Sequence, residues 1–239
     1  MGLGRGIGVL RQQLDPARVP GLRYATTLFA APLGGRRIEP PQPGRVGVLA
    51  LWDDDASLKG FVAASPLAAA LAGGWQARLR PINSHEYHGT RGAGARGSWP
   101  GLDEDLTDPS PPEGPVVVVT LARTRPSQGL RFIKASLDAA RSLHGAPGLV
   151  WATALARPPI VCTCSLWSSG NAAEAYAYGG PDSGHRRALA MDREEPFHHS
   201  GVFFRFQPTA SVGSLNGRNP LRPDWMAGQA GHPDQFVAP

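Results

Sequence analysis

LWSSGNAAEAYAYGGPDSGHRRAL, residues 166–189, decides the fold, because an edited copy of it, LWDDDASLKGFVAASPLAAAL, occupies residues 51–71. Counted from Trp52 and Trp167, an aromatic follows nine places on in each copy (Phe61, Tyr176) and a proline fourteen places on (Pro66, Pro181). Eighteen places on, the copies part: the first has Ala70 and the second has His185. A duplicated scaffold therefore carries a potential metal ligand in one copy only.

The repeat extends outward from these two stretches. GLRYATTLFAAP from Gly21 matches GLVWATALARPP from Gly148 at an offset of 127, and RLRP from Arg78 matches RFQP from Arg205 at the same offset. The two tryptophans lie 115 apart, so the length differences fall between matched segments and read as loops. GGRRIEPPQPGR, before Trp52, has loop chemistry. A fixed internal period marks a duplicated unit, and the units read as residues 1–108 and 114–222, followed by a C-terminal tail over 223–239.

A chain of 239 residues is long enough to bury a substantial core. Hydrophobic residues make up 41% and charged ones 18%, ordinary for a globular protein, while 30 Gly and 24 Pro imply long irregular connections. No apolar run reaches the eighteen or so residues of a membrane span, and MGLGRGIGVLR lacks the apolar stretch and cleavage site of a signal peptide. The expectation is a cytoplasmic protein without a transmembrane segment. The formal charge is +5, but the arginines are scattered rather than gathered in a stripe, which argues against nucleic acid and leaves an acidic redox partner compatible.

Along the chain, GLGRGIG lacks the preceding strand that a dinucleotide-binding loop requires, and residues 7–11 read as a first strand. Residues 22–30 and 46–52 read as strands, and 54–72 as a helix interrupted at Ser65-Pro66. The second copy is clearer. VVVVT suits a buried strand, and residues 128–144 carry Leu130, Ile133, Leu137 and Ala140 at helical spacing, ended by Gly145 and Pro147. Strands over 149–156 and 160–167 follow, then a helix broken at Gly179-Gly180-Pro181 and a last strand over 202–207. This β-α-β-β-α-β order is the ferredoxin-like motif. The fold class is α+β: two tandem ferredoxin-like repeats forming an intramolecular α+β barrel.

In the resumed helix, Ala188 and Leu189 lie at i+3 and i+4 from His185 and set its imidazole on an apolar face. One histidine is not a metal site on its own, and the plain reading is a buried structural residue. Haem changes the requirement, since the porphyrin supplies four ligands and the protein only one.

The segments GPVVVVTLARTRP, FIKASLDAARSLHGAPGLVWATALARPP, SLWSSGNAAEAYAYGGPDSGHRRAL and FHHSGVFFRFQP resemble the spheroidene monooxygenase family of carotenoid biosynthesis. The likeness is close over about 110 residues. It implies a haem-dependent oxygenase with haem b, a lipophilic substrate, O2 and a ferredoxin-like electron donor. A more distant similarity to bacterial haem-degrading oxygenases and antibiotic-biosynthesis monooxygenases implies the same barrel. In the haem-degrading group the corresponding histidine is the proximal iron ligand, so the similarity assigns that role to His185.

Arg186, Arg187 and Arg205 are candidates to meet haem propionates, although solvated arginines are commoner. Family members commonly place an aromatic pair and an acidic residue where this chain has Phe197-His198-His199-Ser200. His198 and His199 therefore read either as loop residues or as polar groups over a haem. His85 and His88, three apart in HEYHGTRG, do not form HExxH and stand as further distal candidates. Cys162 and Cys164 alternate on one strand and read as buried reduced thiols.

On this reading, iron held by His185 activates O2 in an apolar barrel pocket. Three other readings share the fold: a cofactor-free monooxygenase of the antibiotic-biosynthesis type, a haem-dependent N–O dehydratase, and a non-catalytic haem or lipophile carrier. A homo-oligomer is compatible with all of them.

Overall fold

The computed structural model describes residues 3–31, 33, 42–88, 114–180 and 183–222. The second repeat runs β4 (Val116–Thr124), α4 (Gly129–His144), β5 (Leu149–Arg157), β6 (Ile160–Trp167), α5 (Gly170–Tyr178), α6 (Gly184–Glu194) and β7 (His198–Val212). Its strands lie in the order β5-β6-β4-β7, all antiparallel, which is the ferredoxin-like arrangement. The first repeat supplies α1 (Leu3–Arg11), β1 (Leu22–Ala31), β2 (Gln42–Trp52), α2 (Asp55–Ala64), α3 (Pro66–Leu71) and β3 (Gln76–His88). The repeats join through β1 with β5 and β3 with β7, giving one seven-stranded sheet ordered β2-β1-β5-β6-β4-β7-β3.

The predicted opening strand over residues 7–11 is instead part of helix α1. Gly6, Val9 and Leu10 are buried, spaced i, i+3 and i+4, which is a helical stripe rather than strand alternation. Helix α1 lies against the edge strand β2. Among the described residues the first repeat contributes three strands, and no strand stands between β2 and β3. The predicted end of the first unit near residue 108 and the tail over 223–239 lie outside the described residues. The connection before Trp52 is shorter than its composition suggests, since β2 begins at Gln42 and absorbs the Pro-Gly stretch as an irregularity between Gln42 and Val46.

The two repeats correspond in detail. Gly21 (φ 72°) and Gly148 (φ 80°) both occupy left-handed backbone, and a Cβ there would strike Ser57 and Ala172 respectively, the fifth residue after each tryptophan. Leu22 pairs with Trp52 and Leu149 with Trp167, each followed by the same register shift. Trp52 stands 5.0 Å from Phe61 and Trp167 stands 5.1 Å from Tyr176. Asp54 and Ser169 cap the helices that follow, each accepting from the backbone N–H three residues on.

The inner face of the sheet is filled. Leu28, Val117, Val119, Leu121, Leu166, Val202, Phe204 and Phe206 form one core with Leu49 and Leu51 of β2 and Leu79 of β3. Side chains from both edge strands meet in this cluster, which requires the sheet to curl around it. Among the described residues this face is lined by packed side chains. Cys162 and Cys164 belong to this core as free thiols, and burial pushes both upward, Cys164 to about 12.

Candidate functional site

Strand alternation sends Thr163, Ser165 and Trp167 to the outer face of the sheet, opposite Cys162, Cys164 and Leu166. Trp167 is 1% exposed and packs with Leu143, Leu149, Ala173 and Tyr176 beneath α4 and α5. Its indole N–H donates to Ser165 Oγ at 2.9 Å. The ring of Tyr176 lies between those of Trp167 and His185, with both centroid separations 5.1 Å. The tyrosine hydroxyl donates to the backbone carbonyl of Ala139 on α4 at 3.2 Å, which fixes the middle ring of the stack.

His185 is the second residue of α6. Ser183 caps this helix, its Oγ accepting from Arg186 N–H at 3.2 Å. Gly184 rests on α4 so closely that a Cβ would come within 2.0 Å of the Asp138 carbonyl oxygen. The far end of α6 is also held, by Arg131 of α4, which donates to the Met191 carbonyl at 2.9 Å and pairs with Glu195 at 3.2 Å. The imidazole is half-buried, and burial lowers its pKa, favouring the neutral ring. Among the described residues its ring nitrogens have no hydrogen-bond partner, leaving a lone pair for a ligand.

The matching helix of the first repeat corrects one correspondence. Ser65 caps α3 as Ser183 caps α6, accepting from Leu67 and Ala68. Aligned by their caps, His185 stands opposite the buried Leu67 rather than opposite Ala70, because the break before α6 is three residues longer. The asymmetry persists, since neither residue is a ligand.

The other candidates lie apart. His198 begins β7 and packs between Phe132 and Phe197, with Nδ1 at 3.1 Å from Asp192 at the far end of α6. Asp192 lies seven residues from His185, about 10 Å along the helix. His199 is exposed. His85 and His88 stand on edge strand β3 rather than in a loop, paired with Phe203 and Ser200. His85 is exposed. Arg205 is bound to Glu174 at 2.6 Å, its charge already compensated. Arg186 and Arg187 are exposed beside His185.

Two features escaped the sequence reading. Tyr176 was visible as a repeated aromatic but not as the support of His185. Thr163 is exposed although β6 is the fourth of seven strands. Across the sheet it lines up with Thr120, Phe203 and Ala154, all half-buried. This row is an accessible, mainly apolar floor with two hydroxyls on the helix-bearing side of the sheet.

Among the described residues no group of three His, Cys, Asp or Glu side chains is placed to hold a bare metal ion, and no helix is long and apolar enough to cross a membrane. No family model matches the chain. A spheroidene monooxygenase from Rubrivivax gelatinosus is 33% identical over 201 residues, 83% of this chain and 73% of that protein. A second, from Rhodobacter capsulatus, is 29% identical over 133 residues, 53% of this chain and about half (54%) of that protein. A solved structure of a candidate monooxygenase from Fusobacterium nucleatum aligns over 89% of this chain and 88% of its own, with 8% identity and a TM-score of 0.39. The chain belongs to the spheroidene monooxygenase family and is an oxidoreductase of the monooxygenase type.

Proposed function

We propose that this monooxygenase is haem-dependent, that His185 would hold the iron of haem b, and that it oxygenates a lipophilic small molecule. The observation that carries the reading is the half-buried imidazole of His185, stacked on Tyr176 and without a hydrogen-bond partner, in a repeat whose twin has Leu67 at the matching place. Its residues fit the group: haem asks one donor of the protein, and a neutral imidazole with an uncommitted nitrogen meets that need. When bound, haem supplies the reductive activation of O2 that no side chain provides.

The chain contributes orientation and exclusion of water. Tyr176 buttresses one face of the imidazole, and Gly184 fixes the start of α6 against α4. Arg186 suits the carboxylates of a propionate-bearing ligand, whereas Arg205 is engaged by Glu174. The floor formed by Thr120, Ala154, Thr163 and Phe203 supplies area for the substrate, so on this reading the reaction space lies on the outer face of the sheet. The overall change is insertion of one oxygen atom of O2 into a substrate C–H bond and release of the other as water. It consumes two electrons and two protons, the electrons coming from a ferredoxin-like carrier.

Titration of the protein with haemin tests this reading. The expected result is a Soret band distinct from that of free haemin, saturating at one haem per chain. A protein that leaves the haemin spectrum unchanged yet oxygenates substrate overturns haem dependence in favour of the cofactor-free alternative.

A further inference from the structure

Strand β7 outruns its neighbour β4. Its last pairing with β4 is Val117–Phe206, and from Gln207 to Val212 it is bonded to β3 alone. The chain turns at Gly213 (φ 75°) and folds back along this overhang, where Ser211 Oγ donates to Asn219 Oδ1 at 2.8 Å. Between them lies a hollow of about 660 Å³, whose lining includes Ser211, Val212, Ser214, Arg218, Asn219 and Arg222. That volume is within the range of small-molecule sites.

The polar groups of this lining are fixed in place. Asn219 Oδ1 also accepts from Trp75 Nε1 at 3.2 Å and from the backbone N–H of Leu221 at 3.0 Å. An indole and a backbone N–H can only donate, so the amide oxygen faces them and the NH2 group is turned the other way. Trp75 packs edge-on against Trp151 at 5.3 Å, which ties the arrangement to the core. Arg218 closes a two-residue hairpin. Asn216 and Gly217 both have positive φ (53° and 78°), and Leu215 and Arg218 exchange both backbone bonds, at 2.7 and 3.2 Å. The backbone N–H of Arg222 donates to the Asn219 carbonyl at 3.2 Å. Arg218 is exposed, and among the described residues no Asp or Glu lines the hollow.

We infer that this hollow binds a phosphate group, carried either by a small soluble molecule or by a lipid headgroup. Its lining offers two guanidinium groups, an oriented amide NH2 and the Ser214 hydroxyl. Two positive charges favour a dianion, and donors from several directions suit the three terminal oxygens of a phosphate better than the two of a carboxylate. The hollow is roomier than a bare ion needs, and Val212, 61% exposed, gives the organic part an apolar contact. None of these residues belongs to the stack of Trp167, Tyr176 and His185, so the site stands apart from the haem reading.

Calorimetric titration of the full chain with glycerol 3-phosphate at low salt, with glycerol as the neutral comparison, tests the site. Wild type is expected to bind glycerol 3-phosphate saturably and to ignore glycerol. Arg218→Gln is expected to bind about tenfold more weakly. Asn219→Asp keeps an oxygen for Trp75, Ser211 and Leu221 but replaces the NH2 donors with negative charge, so it should lose binding while circular dichroism stays that of wild type. If Asn219→Asp unfolds, Arg218→Gln decides alone. Lys134→Gln, an exposed cation on α4, controls for general loss of charge and should bind as wild type does. Flotation with phosphatidylcholine vesicles, with and without phosphatidic acid, separates the two sources. Capture by phosphatidic acid that is lost in Arg218→Gln, without binding of glycerol 3-phosphate, assigns the phosphate to a lipid headgroup; the reverse assigns it to a soluble molecule. Binding of neither probe overturns the proposal, as does equal affinity of Arg218→Gln and wild type, or an equal loss in Lys134→Gln.

Discussion

Gly184 lies against the backbone carbonyl of Asp138, where an added Cβ would approach the oxygen to 2.0 Å. Helix α6 therefore starts at a fixed depth on α4, and the position of His185 follows from it. Replacing Gly184 by Ala forces the helices apart, and we expect a loss of about 3 kcal/mol in urea unfolding. Gly180→Ala, where a Cβ meets nothing within 4 Å, serves as the control and should change stability by under about 1 kcal/mol. Equal effects of the two substitutions would show that the Gly184 contact does not set the helix.

The aromatic stack makes a separable prediction. Tyr176→Phe keeps the ring between Trp167 and His185 but loses the bond to the Ala139 carbonyl, which should cost about 1 kcal/mol. Tyr176→Ala removes the ring and should cost about 3 kcal/mol or more. Denaturant midpoints of the two variants would contradict the stacking role if they coincide.

Much of this was legible in the sequence because the duplicated residues do the same work twice. Gly21 and Gly148 each need left-handed backbone and each meets the helix after its tryptophan, so both the glycines and their spacing survive in the two copies. The opening helix was not legible. Its apolar residues are few, and only burial against β2 distinguishes a helical stripe from a short strand. Counting from the tryptophans placed Ala70 opposite His185, because the three residues added in the second helix break leave no mark until the caps Ser65 and Ser183 are compared. Thr163 was hidden for another reason: exposure in the middle of a sheet depends on where helices leave it uncovered, and strand periodicity carries no such information.

The core thiols should behave as inert groups. Cys164, held at about 12, and Cys162, also raised by burial, remain protonated in the folded chain at pH values where an unfolded cysteine ionises. A raised folded-state pKa gives a contribution fully present below the unfolded value of 9 and lost as pH rises from there toward about 12. Ellman's reagent at pH 8 should therefore find no reactive thiol in the native protein and two in urea. Stability should fall above pH 9 more steeply in wild type than in Cys164→Ala. Rapid reaction of either thiol in the folded state would contradict their place in the core.

The location of the reaction space is tested by size rather than charge. Thr163→Trp places a large ring on the exposed floor of the outer sheet face and should abolish oxygenation of a lipophilic substrate while changing stability by less than about 1 kcal/mol. Leu121→Ala opens the inner core and should cost roughly 2–5 kcal/mol without altering substrate choice. Activity lost in the core variant at a temperature where it stays folded, and retained in Thr163→Trp, would move the site to the interior.

The central claim concerns His185, and the most direct measurement compares the Soret bands of wild type and His185→Ala after reconstitution with haemin, with circular dichroism confirming that both are folded. The account predicts that the variant loses the band or holds haem far more weakly, and that added imidazole restores a ligated spectrum by occupying the space the side chain leaves. An unchanged Soret band in folded His185→Ala would contradict it and direct attention to His85, His88, His198 and His199.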